Sequence, residues 1–108
     1  MEYRLKKNAD FNRVFKVGKR SFTHTLTLLY VKGEPQVKVG FTVTKKHGGA
    51  VQRNRIKRVF RAAFREVLPS VTGGYYIVFM PRVGVEHTFR DTVKNMRYVL
   101  KKEGIILK

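Results

Sequence analysis

In the stretch NADFNRVFKVGKR, Phe11, Val14 and Phe15 recur at i, i+3 and i+4 and share one apolar helix face. Asn8 is expected as the N-cap, Asp10 falls in the first turn and Gly18 lies just beyond the last. The pattern predicts a short helix over about residues 9 to 17. The period then changes. THTLTLLYV alternates and is rich in β-branched residues, so it is expected as a strand, with Leu26, Leu28 and Tyr30 on one side and Thr25, Thr27, Leu29 and Val31 on the other. Strict alternation puts Tyr30 on the core side, whereas a one-residue bulge would turn it to the opposite face. KGEPQ makes a turn punctuated by Gly33 and Pro35. VKVGFTVT then sets Val37, Val39, Phe41 and Val43 against the small or polar Lys38, Gly40, Thr42 and Thr44. The two strands are expected to pair as a hairpin.

A second helix is predicted from Ala50 to Leu68, stopped by Pro69, with Ile56, Val59, Phe60, Ala63 and Val67 as its apolar stripe. YYIVF is a short continuous apolar run, expected as a central strand. Thr88 with Asp91 three residues on has the form of a capping box. It opens a helix whose Phe89, Val93, Met96 and Leu100 share a face and which Gly104 ends; the closing IIL either docks on the sheet or adds a strand to it. With no repeat, low-complexity tract or linker, residues 1–108 form one domain of the α+β class. The expected architecture is a single-domain sandwich of helices on a mixed sheet, in the order α-β-β-α-β-α.

Charge changes the picture. Twenty-four Lys and Arg against seven acids leave a net charge of +17, which repels itself in the folded state unless a polyanion relieves it. Aromatics and strand patterns interleave with the charge, which favours nucleic acid over a membrane surface. The chain has no cysteine, so disulfides and thiolate metal sites are excluded. The stretch MEYRLKKNADF has no apolar core of a signal peptide and no run nears 18 apolar residues, so a cytoplasmic protein with no membrane association is expected.

Much of the charge sits on the second helix. At 100° per residue, Lys57, Arg61, Asn54, Arg65 and Arg58 fall within about a 100° sector opposite the apolar stripe, flanked at the helix start by Arg53 and Arg55. A merely solvated face mixes signs, because Glu–Lys pairs at i, i+4 stabilise it and like pairs such as Lys57 and Arg61 do not. No acid interrupts this sector. Arginine forks suit bidentate phosphate contacts, and the two glycines of HGGAV, just before the helix, let backbone approach an anion.

GFTVTKKHGGAVQRNRIKRVFRAAFRE resembles the diagnostic segment of the bacterial ribonuclease P protein subunit: a strand ending in basic residues, a glycine-containing turn, and an Arg-Asn-Arg helix. RLKKNADFNRVFKVG is similar to that family's first helix, and the resemblance spans nearly the whole chain; KKEGIILK is its least family-like part. The resemblance implies a protein that binds a large catalytic RNA and promotes endonucleolytic removal of the 5′ leader of precursor tRNA. It implies RNA-subunit contacts at Lys45, Lys46, Arg53, Asn54, Arg55, Lys57, Arg58, Arg61 and Arg65. It implies a leader cleft between the first helix and the sheet, formed by Phe11, Phe15, Thr27, Leu29 and Thr42, with Arg13 and Lys16 as phosphate contacts. It also implies a left-handed β-α-β crossover where generic rules favour a right-handed one. The partners implied are the ribonuclease P RNA and precursor tRNA, with no obligate protein partner.

No catalytic residue is expected in the protein itself. Glu2, Asp10, Glu34, Glu66, Glu86, Asp91 and Glu103 are scattered, and His24, His47 and His87 lack the spacing of a ligand pair. Mg²⁺ is therefore expected to be held mainly by RNA, and His47, in the basic turn, is a candidate RNA contact. A ribosomal or translation-factor RNA-binding module is the competing class; a second nucleic-acid surface beside the cationic helix would distinguish the processing subunit from it.

Overall fold

The apolar run around YYIVF becomes β4 (Tyr75–Pro81), and it is central because both of its faces are covered. The computed structural model describes residues 3–107, so Glu2 lies outside the described residues. Within them, α1 (Asn8–Val17), β1 (Lys19–Phe22), β2 (Leu26–Lys32), β3 (Lys38–Phe41), α2 (Ala50–Val67), β4 and α3 (Phe89–Lys102) follow in chain order. The sheet order is β1-β2-β4-β3, with β4 antiparallel to β2 and parallel to β3. The α+β class with a mixed sheet is as expected, and α2 forms the crossover between two adjacent parallel strands.

Two expectations are corrected. β1 was not anticipated, since KRSF has one large apolar residue and that residue, Phe22, points outward. It pairs with β2 across a turn in which the Thr23 hydroxyl accepts the N–H groups of Thr25 and Leu26 at 3.2 and 3.3 Å. Nor do β2 and β3 form a hairpin, because β4 lies between them. Instead, KGEPQ crosses the start of β4, where the N–H groups of Gly33 and Glu34 both donate to the Gly74 carbonyl at 3.2 and 3.3 Å. Alternation specifies which face a residue takes, not which strand lies alongside, and the strand apolar on both faces takes the position buried on both.

Two cores result. Under α2 and α3, Leu26, Leu28, Tyr30, Val39, Ile77 and Phe79 of the sheet meet Ile56, Phe60, Ala63, Phe64 and Val67, with Met96, Val99 and Leu100. Phe64 widens the stripe beyond the expected set, because it lies 20° from Lys57 on the helix wheel. Phe41, Phe60, Phe64 and Phe79 pack together within this core at centroid distances of 5.9 to 6.2 Å, Phe41 stacked on Phe79, Phe60 edge-on to Phe41 and Phe64 tilted against Phe79. On the opposite face, Leu5, Val14, Leu29 and Val78 form a smaller core under α1.

The ends are settled by hydrogen bonds. Lys7, not Asn8, occupies the N-cap of α1, so Asn8 is the first helical residue. Thr88 caps α3 by accepting the Asp91 N–H at 3.1 Å, while Phe89 is largely exposed and Thr92 and Val99 take inner positions beside Met96 and Leu100. Gly104, at φ +78°, ends α3 and returns the Ile105 N–H to the Leu100 carbonyl at 2.8 Å. The tail then docks rather than joining the sheet: Ile105 and Ile106 are buried, and Ile106 bridges Val71. Tyr30 follows strict alternation into the core, and its hydroxyl donates to Glu103 Oε1 at 2.8 Å; burial and that bond push the phenol up to about 12. At the other sheet edge Tyr3–Leu5 lies along β3, with Leu5 N–H to Val39 O at 2.8 Å and Val39 N–H to Tyr3 O at 2.7 Å, which shields the edge.

A Cβ at Gly74 would overlap the Glu34 carbonyl, which is backbone and cannot swing aside. Gly74→Ala should therefore lower stability by about 1–3 kcal/mol, seen as an earlier thermal melt. An unchanged melt would mean that the turn does not need its close seat on β4.

Candidate nucleic-acid interface

A short 3₁₀ turn, Lys45–His47, leads from β3 into α2. Thr44 and His47 cap each other: the Thr44 hydroxyl accepts the Lys46 N–H at 3.3 Å, and His47 Nδ1 accepts the Thr44 N–H at 3.1 Å. That leaves the His47 Nε2–H to donate to the Pro81 carbonyl at 2.7 Å. With both ring nitrogens engaged, His47 braces the basic turn against the end of β4. Gly48, at φ +116°, needs glycine. Gly49 then starts α2 with no side-chain cap and no acid in the first turn, and Arg53 Nη1 donates to the Gly48 carbonyl at 3.1 Å. The uncapped N–H groups and the dipole add to the positive field there.

Lys45, Lys46, Asn54, Arg55, Arg58 and Arg65 are exposed, and Arg53, Lys57 and Arg61 are half-buried. Among the described residues none of these cations is in a salt bridge. Lys57 and Arg61 line a small pocket of about 90 Å³ with Arg4, closed by Leu5, Val39, Gly40 and Phe41. Arg4 was not singled out from the sequence. The basic run around it was legible, but its place beside α2 depends on the pairing of Arg4 with Val39, which no local pattern announces.

Across the sheet, the strand register builds the second surface. Arg20, Leu29, Val78 and Gly40 form one cross-strand row, and α1 lies over it. Phe11 packs so closely on Gly40 that a Cβ there would sit 2.5 Å from its ring. Phe11 and Phe15 stack with centroids 6.5 Å apart and are half-buried. The next row runs from Phe22 through Thr27 and Met80 to Thr42, whose N–H donates to the Phe79 carbonyl. Thr27, Met80 and Thr42 are half-buried, so a groove lies beside α1 with aromatic rings on its flank. Phe11, Phe15, Thr27 and Thr42 are thus brought together.

Two expected groove residues are not. Leu29 is 0% exposed beneath α1 and packs with Val14 and Val78, so it supports the groove floor from below instead of lining it. Arg13 lies 200° around α1 from Phe15, on the far side of the helix, and is ion-paired with Glu34. Lys16 is exposed on the outer surface of α1.

Beyond the basic turn, Lys46, Arg55, Arg82 and Glu86 surround a cavity of about 510 Å³ that His87 also lines. His87 is 4% exposed, rests edge-on against Phe60 at 5.3 Å, and shares a 2.9 Å hydrogen bond with the Arg82 carbonyl. Among the described residues no three His, Asp or Glu side chains converge as metal ligands.

A basic α+β domain with an arginine-lined helix on one side of its sheet and an aromatic-flanked groove on the other has the make-up of a small RNA-binding protein. The ribonuclease P family model matches residues 1–104. The chain is 39% identical over 106 residues to the ribonuclease P protein component of Lactococcus lactis, covering 95% of this chain and 89% of that one. It is 35% identical over 108 residues to that of Oceanobacillus iheyensis, with 97% and 89% covered. Its fold matches the Staphylococcus aureus RNase P protein with a TM-score of 0.84 at 29% identity, covering 96% and 97% of the two chains. The Thermotoga maritima RNase P protein matches with a TM-score of 0.79 at 30% identity, covering 92% and 96%. The chain belongs to the ribonuclease P protein family: it is the protein part of a ribonucleoprotein enzyme of tRNA processing and associates with the ribonuclease P RNA. Among the described residues no helix is long and apolar enough to cross a membrane.

Burial holds the His87 imidazole below its ordinary value, with His47 adding to the effect and the bond to the Arg82 carbonyl opposing it. The unfolded chain therefore takes up this proton at higher pH than the folded one. The stabilisation is complete above about pH 6.5 and is lost as pH falls below it. Thermal melts between pH 7 and 5 should decline with acid, and His87→Gln should flatten part of that decline. An equal slope in both proteins would remove His87 as the cause.

Proposed function

We propose that the chain grips the ribonuclease P RNA through the cationic face of α2 and receives the single-stranded 5′ leader of precursor tRNA in the groove beside α1. One observation carries this reading: the molecule has two separate surfaces suited to RNA, and they meet at β3. Phe11 covers Gly40 on the groove side, while Gly40 and Phe41 also border the pocket that holds Arg4, Lys57 and Arg61. A strand leaving the RNA subunit at the cationic face could pass directly into the groove. Arg53, Asn54, Arg55, Lys57, Arg58, Arg61 and Arg65, with Lys45 and Lys46, neutralise phosphates of the RNA subunit. Phe11 and Phe15 offer rings for unpaired bases, Thr27 and Thr42 offer hydroxyls, and Lys16 offers a charge above the helix. The chemistry of cleavage belongs to the RNA, where phosphates hold the Mg²⁺ that supplies charge stabilisation. The protein's cations share in screening the RNA and thereby reduce the Mg²⁺ needed, and it acts where tRNA precursors are made, in the cytoplasm.

If about five α2 side chains neutralise phosphates, log K for the RNA subunit should fall by roughly 3.5 to 4.5 per tenfold rise in salt. The double substitution Arg58→Ala and Arg61→Ala should flatten that slope by about one to two units. A slope near zero in the wild-type protein would mean that the face is only solvated.

The two surfaces should also separate by mutation. Phe15→Ala should weaken binding of precursor tRNA by the assembled particle by about 1–3 kcal/mol, the worth of one lost stack, and leave mature tRNA and RNA-subunit affinity unchanged. Arg58→Ala should impair assembly first. Melts of each variant are needed alongside, because Phe15 also packs on the small core. Equal weakening of precursor and mature tRNA, with a strongly lowered melt, would refute the groove assignment.

A further inference from the structure

The groove does not stop at its aromatic flank. Its row ends on the edge strand at Phe22, which is paired with Thr27 and is 66% exposed. Phe22 is also the first wall of a separate notch of about 370 Å³, completed by Thr23 and His24 of the β1–β2 turn and by Lys94, Asn95 and Tyr98 of α3. Tyr98 is 59% exposed, so two large rings stand in solvent on either side of one concavity. Neither ring has a packing reason to be there. The cores close without them, and the stripe of α3 that faces the sheet is made by Thr92, Met96, Val99 and Leu100. The notch also carries a lysine, an amide and an imidazole and no acid. Rings beside a cation and amide donors form a surface that takes single-stranded nucleic acid, with bases on the rings and phosphates on the charge.

We infer that this notch binds the part of the leader lying 5′ to the segment in the groove, Phe22 and Tyr98 stacking on unpaired bases and Lys94 meeting a phosphate. The inference rests on the leader reading above and extends it. Its direction follows from the layout. The cleaved bond must lie at the RNA subunit, which the α2 face holds, and that face meets the groove at the β3 end, by Gly40 and Phe41. Leader nucleotides nearest the cleavage point therefore enter at Thr42. Three strand spacings, about 14 Å, carry the chain across to β1, and nucleotides further 5′ arrive at Phe22. A short leader ends within the groove; a longer one reaches the notch.

The test uses the reconstituted particle, with RNA subunit and full-length protein, and precursor tRNAs bearing unstructured leaders of about four or about twelve nucleotides, lengths spanning the range of single-strand site sizes. Wild-type particle should bind the longer leader more tightly. The double variant Phe22→Ala, Tyr98→Ala should lose that increment, about tenfold or more, and bind the short leader as wild type does; Lys94→Ala should remove a smaller part and reduce the salt dependence of the increment. Both rings are exposed, so the variant should melt as wild type does. No advantage of the longer leader in wild type, an undiminished advantage in the double variant, or equal weakening of both leaders by it would each overturn the notch. Phe11→Ala separates the two readings: if it weakens both leader lengths while the double variant weakens neither, the groove stands and the notch falls. If Phe11→Ala weakens neither length, the leader reading itself fails.

Discussion

Ile77 and Phe79 point from β4 into the core under α2 and α3, while Val78 between them points into the core under α1. Everything else in the molecule is arranged around that strand being buried on both faces. β2 and β3 each have one strongly apolar side; both bury it under α2 and α3, and both pair laterally with β4 rather than with each other. Placing β3 on the far side of β4 sends the chain back over the sheet through α2. That return brings the basic turn to the end of β4, where His47 is tied to the Pro81 carbonyl. The cationic helix is thus positioned by an apolar strand that carries no charge.

The excess charge then has a structural logic. A net +17 on 108 residues costs stability through self-repulsion, yet the acids are not spread to offset it. Glu34 holds Arg13 on the far side of α1, and Glu103 receives the Tyr30 hydroxyl at the end of α3. Both serve the scaffold. The α2 cations are left without acidic partners among the described residues, so their field faces outward, where a polyanion would relieve their repulsion. Stability comes instead from the apolar core, in which the rings of Phe41, Phe60, Phe64 and Phe79 pack together. Dispersion and burial there are indifferent to salt, whereas the outer face is sensitive to it.

Helical periodicity made α1, α2 and α3 legible, and alternation placed Leu26, Leu28 and Tyr30 correctly on the core side. The cationic sector of α2 could be read because the absence of acids is visible in one dimension. What escaped was contact between distant segments. Leu29 has the same facing as Thr27, but α1 lies over the row of Leu29 and not over that of Thr27, a distinction set by where the helix crosses the sheet. Arg13 is paired with Glu34, 21 positions on, a contact that no local pattern announces. β1 escaped for a different reason: its side chains bury little, so it carries no apolar alternation and is held by backbone pairing to β2.

The open groove follows from the size of α1. Ten residues make a rod of about 15 Å, one residue row wide in what it can cover. Val14 is the residue that reaches the sheet fully, and it covers the row of Leu29 and Val78, which is apolar. The neighbouring row contains Thr27 and Thr42, whose hydroxyls would need hydrogen-bond partners if a longer or bulkier helix buried them. Leaving that row uncovered avoids the cost and keeps the hydroxyls available to a ligand. Gly40 completes the arrangement: without a side chain it lets Phe11 settle against the strand, so the ring marks the edge of the groove instead of filling it. Polarity of one sheet row and the absence of one Cβ therefore keep open a surface that the hydrophobic effect alone would have closed.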